Sequence, residues 1–197
     1  VLEVSVSVTN PLCNSGSGSA ELTISGGTSP YTTEDLSSLS AGDYNTIVTD
    51  ANGCEVSVSF TVSQPDELSA FVSVTDALCN GSSGSAELTV TGGTAPYETE
   101  DISSLSAGDY TTIVTDANGC ETFVSFTVSQ PEILEVSVSV TDALCNGGSG
   151  SAELTVTGGI APYETEDLSS LSAGDYTTIV TDANGCEVSV EFTISEP

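Results

Sequence analysis

The chain has 197 residues, of which 29 are acidic and none is lysine, arginine or histidine, giving a formal charge of −29. With no cation to neutralise phosphate, it is excluded from binding nucleic acid or an anionic membrane surface. No apolar run approaches the ~18 residues of a membrane span, and serine without a histidine base excludes a Ser-His-Asp nucleophile.

In chain order, the first predicted element is a strand in which Val4, Val6 and Val8 alternate with Ser5, Ser7 and Thr9. Period-two alternation puts the valines on one face, and serine and threonine keep the other face wettable. After the segment Leu12-Cys13-Asn14, the residues Ala20, Leu22 and Ile24 repeat the pattern, and Gly26-Gly27 ends it. Pro30-Tyr31 and an acidic stretch at Glu34-Asp35 lead to Ala41-Gly42-Asp43, which opens a strand carrying Tyr44. Along Tyr44-Asn45-Thr46-Ile47-Val48 the apolar alternation slips, an irregularity for a bulge or an inter-domain contact to absorb. Asp50-Ala51-Asn52-Gly53 is read as a hairpin turn, because Asn and Gly both tolerate positive φ. The last strand is the clearest: Val56, Val58, Phe60 and Val62 interleave with Glu55, Ser57, Ser59 and Thr61. Nothing has helical spacing, and about six short strands per unit point to an antiparallel sandwich of immunoglobulin-like kind.

The same strings then recur. TDANGC ends at Cys54, Cys120 and Cys186, positions 66 residues apart, and Cys13, Cys79 and Cys145 keep that period. The expected units are 1–65, 66–131 and 132–197, closing on Pro65, Pro131 and Pro197 with no linker between them. The expected architecture is therefore all-β, three sandwich repeats in an extended rod. A bead this small buries only about 60% of the surface its unfolded chain exposes and needs a staple. Two cysteines per unit supply one if Cys13 joins Cys54, Cys79 joins Cys120 and Cys145 joins Cys186. A thiolate metal site is disfavoured by the lack of CxxC spacing and of histidine. Such bridges imply an oxidising compartment.

The order of LCN with a Gly/Ser run, GSAELTISGG, Pro30-Tyr31, LSSLSAGDY, TDANGC and an alternating strand ending in SQP resembles the SprB repeat of giant surface adhesins of gliding and other Bacteroidota. The resemblance covers all three units and implies a secreted protein displayed on the cell surface as long filaments, used in adhesion or surface motility. It also implies export through the type IX system, whose C-terminal domain this sequence does not contain. Repeats of the family commonly carry a further aromatic strand, often with tryptophan, after the Pro-Tyr. Here Thr33-Glu34-Asp35-Leu36 follows almost at once. Without an initiator methionine or leader, the chain reads as a mature or internal segment.

An uncompensated negative surface repels itself unless cations screen it, and calcium is the natural extracellular candidate. The residues to test for it are Asp50 and Asn52, Asp116 and Asn118, Asp182 and Asn184, with the junction acids Asp66, Glu67 and Glu132. The alternative is that these Asp and Asn residues build the turn through their own hydrogen bonds. Carboxylates also gather at Glu34-Asp35, at Glu98, Glu100 and Asp101, and at Glu164, Glu166 and Asp167. A glycosidase sets two carboxylates across a cleft, whereas these are neighbouring loop acids, so no enzyme is expected. Asn80-Gly81-Ser82 is a formal sequon without counterpart at Asn14 or Asn146. Tyr31 and Tyr44 and their equivalents serve either packing or carbohydrate stacking. The function expected is a structural stalk or fibre segment. Possible partners are the chain itself, in a filament, or an extracellular polysaccharide bound by a multivalent array. Accessory domains of a secreted enzyme are the remaining reading.

Overall fold

The computed structural model describes residues 1–197. It contains twelve strands and no helix: β1 Glu3–Thr9, β2 Ser19–Ser25, β3 Gly42–Thr49, β4 Glu55–Val62, β5 Ser69–Thr75, β6 Ser85–Thr91, β7 Gly108–Thr115, β8 Glu121–Val128, β9 Glu135–Thr141, β10 Ser151–Thr157, β11 Gly174–Thr181 and β12 Glu187–Ile194. Consecutive strands pair into six two-stranded sheets, so each 66-residue period holds two ribbons. The chain divides into two compact units. One is Val1–Phe71 with Leu88–Glu100 and Thr111–Val124; the other is Val72–Glu87 with Asp101–Tyr110 and Ser125–Pro197.

Within the first unit, β1 pairs with β2 from Glu3 opposite Ser25 to Thr9 opposite Ser19, and β3 with β4 from Gly42 opposite Val62 to Thr49 opposite Glu55. Both ribbons feed one small core: Val6 and Val8 from β1, Ala20 and Leu22 from β2, Tyr44 from β3, and Phe60 and Val62 from β4. The Tyr44 and Phe60 rings stack at 5.5 Å between centroids. β1 packs beside β4. The two run the same way, because Asn10, just past the end of β1, accepts a hydrogen bond from the Ser63 N–H, just past the end of β4. The second unit repeats this scheme with β9–β12 and a core around Leu168, Phe192 and Ile194.

Four strands per period stand where about six were expected. The stretch between β2 and β3 is rich in Gly, Ser and Thr without sustained alternation, and its backbone forms isolated bridges, Thr32 to Thr49 and Leu39 to Gly18, rather than a strand. Its contribution is to the core instead: Leu36 and Leu39 are both buried in the place of a further strand.

Ile47 and Val48 face opposite ways, as the sequence indicated, but no bulge is needed to bring this about. The register of β3 against β4 is continuous, and Tyr44, Thr46 and Val48 point inward while Ile47 points out, 47% exposed. The inward series merely contains a polar member. Thr46 is 1% exposed and its hydroxyl lies 3.4 Å from that of Thr33, so the buried polar group is satisfied. Thr112 meets Thr99 in the same way, whereas the buried hydroxyl of Thr178 has no hydrogen-bond partner.

Candidate interaction surface at the crosslinked ends

Two loops of each period carry the cysteines, and the strand directions put them at opposite ends. The loop after β1 is tied down to the exit from β4. Asn14 Nδ2 donates to the Pro65 carbonyl at 3.0 Å, and the Ser15 N–H donates to Gln64 Oε1 at 2.9 Å. Asn80 and Gly81 make the same bonds to Pro131 and Gln130. In the last period Glu196 replaces the glutamine and accepts from the Gly147 N–H at 2.7 Å. The SQP string is thus the clamp that fixes the LCN loop where one period hands over to the next.

The TDANGC loop sits at the far end, between β3 and β4. The Asp50 carboxylate organises it: Oδ1 accepts from the N–H groups of Asn52 and Cys54, both at 2.9 Å, and Oδ2 accepts from the Thr28 N–H at 3.0 Å. Asp116 and Asp182 repeat these bonds. The hairpin is as expected but its turn is not. Gly53 has φ of 82°, while Asn52 is not among the residues at positive φ, so the loop spans Asp50–Cys54 around a carboxylate rather than an Asn-Gly pair. The backbone N–H of Cys54 chiefly holds the Asp50 carboxyl below its ordinary range. At Asp116 and Asp182 burial pushes upward, but the N–H groups of Cys120 and Thr94, and of Cys186 and Ile160, outweigh it. Asp35, Asp101 and Asp167 are lowered by the hydroxyl and N–H of Ser37, Ser103 and Ser169. The last three therefore tie their own exposed loop.

A lowered carboxyl adds its stability in full above the ordinary value of 3.8 and loses it as pH falls through the lower folded value. The melting temperature is accordingly expected to fall below about pH 4. A variant with asparagine at Asp50, Asp116 and Asp182 should show a lower melting temperature at pH 7 and a shallower acid decline by circular dichroism. An unchanged acid profile in that variant would show that these turns do not govern it.

The cysteine pairing expected within each 66-residue period is not the one formed. Cys13 bonds Cys120 and Cys79 bonds Cys186, each with Cα atoms 5.7 Å apart, while Cys54 and Cys145 are free and exposed. The reason is strand length. Cys13 lies by the exit from β4 and Cys54 by its entry, and eight extended residues span about 26 Å. A disulfide needs Cα atoms within about 7 Å. The entry of the next period lies against the exit of the preceding one, so the LCN loop meets the following TDANGC loop.

Around each bridge the contact is specific. Asn118 Nδ2 donates to the Leu12 carbonyl at 3.1 Å, and Asn184 Nδ2 to the Leu78 carbonyl at 2.8 Å. A recess of about 470 Å³ opens beside Cys13–Cys120, where Asp66, Glu67 and Glu121 line it, and one of about 390 Å³ beside Cys79–Cys186 has Glu132 and Glu187. These acids do not come together as a metal-ligating group of three or more. The tyrosines are engaged with the protein: Tyr31 donates to the Gly26 carbonyl at 2.6 Å and Tyr44 to Ser40 at 2.9 Å. Sequence reasoning raised Asn118 and Asn184 for calcium and missed their role in docking. It also missed Leu12 and Leu78, which nothing marked except their place beside the cysteines.

The SprB repeat model matches the chain at residues 5–32, 72–98 and 137–164, once in each period. No curated protein matches the chain.

Proposed function

From a chain that carries three SprB repeats, repeats of cell-surface proteins, we propose a load-bearing stalk segment of an extracellular adhesin or filament, each 66-residue period acting as one bead. The observation that carries this reading is the pairing of Cys13 with Cys120 and of Cys79 with Cys186, which crosslinks successive periods rather than closing each on itself. A staple within a bead resists unfolding of that bead. A staple across a junction also resists separation and bending, the property a stalk requires. Disulfides of this kind suit an oxidising, extracellular setting.

Calcium enters the proposal as a screening ion for the charge of −29. It is not placed on Asp50, Asp116 or Asp182, because both oxygens of each already accept backbone N–H groups. Small-angle scattering tests the reading. The maximum dimension should correspond to an extended particle and be unchanged by calcium at matched ionic strength. A compact particle would overturn the stalk. So would glycan-array binding that strengthens from one repeat to three, which would mark a multivalent binder instead.

A further inference from the structure

The two bridges interleave along the chain. The bonded cysteines come in the order Cys13, Cys79, Cys120 and Cys186, and Cys13 bonds Cys120 while Cys79 bonds Cys186. Each bridge merges two points of the backbone into one, so three separate stretches join the first bridge to the second: 13–79, 79–120 and 120–186. We propose that this connectivity makes the segment tolerant of proteolytic cuts. A break in any one stretch, or in any two, leaves Cys13 and Cys186 covalently joined through the stretch that remains. Only a cut in all three parts them. The proposal rests on the stalk reading, because continuity after damage matters to an element that carries load.

Pairing within periods lacks this property. With Cys13 joined to Cys54, Cys79 to Cys120 and Cys145 to Cys186, one cut between Cys54 and Cys79, or between Cys120 and Cys145, would part the chain. Those stretches hold the handovers from one period to the next, where Glu67 and Glu132 are exposed and lie outside any strand. The 79–120 stretch has an exposed, irregular position of its own at Glu100, between β6 and β7. Exposed segments of this kind are where proteases nick. Each stretch therefore has a vulnerable position, and none of the three is critical alone.

The ends freed by a cut after Glu67 are also anchored. On one side Asn14 and Ser15 hold Pro65 and Gln64, and the Gly93 N–H donates to the Asp66 carbonyl at 3.0 Å. On the other side Leu68 is buried. Both ends keep these anchors once the peptide bond between them is gone. Hydrolysis adds one water across that bond and gives a carboxylate and an amine, with no change of redox state, so the bridges persist in an oxidising setting.

The absence of lysine and arginine gives the test a silent background, since an introduced arginine is the only trypsin site. Glu67→Arg, Glu100→Arg and Glu132→Arg place one site in each stretch, and the free thiols of Cys54 and Cys145 are alkylated first to stop exchange. After trypsin, each single variant and each pair should run as one intact species on non-reducing electrophoresis and fall into fragments only with dithiothreitol. The triple variant should part without reductant into two species of about half the mass, one holding Cys13–Cys120 and the other Cys79–Cys186. Fragments from Glu67→Arg before reduction would overturn the proposal, as would a fully cut triple variant that stays whole. Wild type cut about once per chain by a glutamate-specific protease gives a second measurement that does not depend on the folding of a variant. It should stay near full length until reduced, and large fragments before reduction would overturn the proposal equally. A compact particle in the scattering measurement would overturn the stalk and leave the cutting pattern unchanged, so the two failures are separable.

Discussion

Replacing both Cys13 and Cys120 by serine is expected to lower the unfolding free energy by about 4–5 kcal/mol, whereas Cys54→Ser leaves it unchanged. The bridge spans a sequence separation of 107. A loop of that length costs the unfolded chain about 4.7 kcal/mol of closure entropy in the chain-entropy model. The cores it supports are small, their largest fully buried side chains being valine, isoleucine and threonine, so little else offsets its loss. The Cys79–Cys186 loop overlaps the first, so removing both bridges should cost less than twice one. Guanidinium titration measures the effect. Equal losses in Cys54→Ser and Cys120→Ser would instead restore the pairing within units. Peptide mapping gives the same answer chemically, using cleavage at Glu or Asp, because a chain without lysine or arginine offers trypsin no site.

Gly92→Ala is expected to destabilise by about 3 kcal/mol or more, and Gly119→Ala by only about 1–2 kcal/mol. Both glycines are left-handed, with φ of 69° and 81°. The conformational penalty on a side chain is therefore similar at the two positions. They differ in what a Cβ would meet. At Gly92 it would fall 1.9 Å from the Glu67 carbonyl oxygen, a backbone atom that can yield only by moving the segment leading into β5, while at Gly119 there is nothing within 4 Å. Melting curves of the two variants should differ accordingly, and equal losses would show that the approach of Glu67 is not constraining.

The strands were legible because period-two alternation is a local property. Val4 to Val8, Ala20 to Ile24 and Val56 to Val62 declare their faces within a few residues, and the structure sets them as read. In β3 the opposite facing of Ile47 and Val48 was legible, but the irregularity was assigned to a bulge because polarity stood in for burial. Thr46 is nearly as apolar in shape as valine and finds a hydroxyl partner in Thr33, a contact that alternation cannot reveal. Leu36 and Leu39 were overlooked as core because they lie in an irregular stretch, where position is set by packing rather than by a repeat.

The sequence by itself determined the all-β class, the 66-residue period and the SprB resemblance. Only the tertiary structure decided which cysteine meets which. In a tandem array a bridge within a period and a bridge to the next period draw on the same repeating pair of cysteines, so the count of cysteines cannot separate them. What separates them is that β1 and β4 run the same way, which puts the LCN and TDANGC loops about 26 Å apart along an eight-residue strand and leaves each to find its partner across a junction.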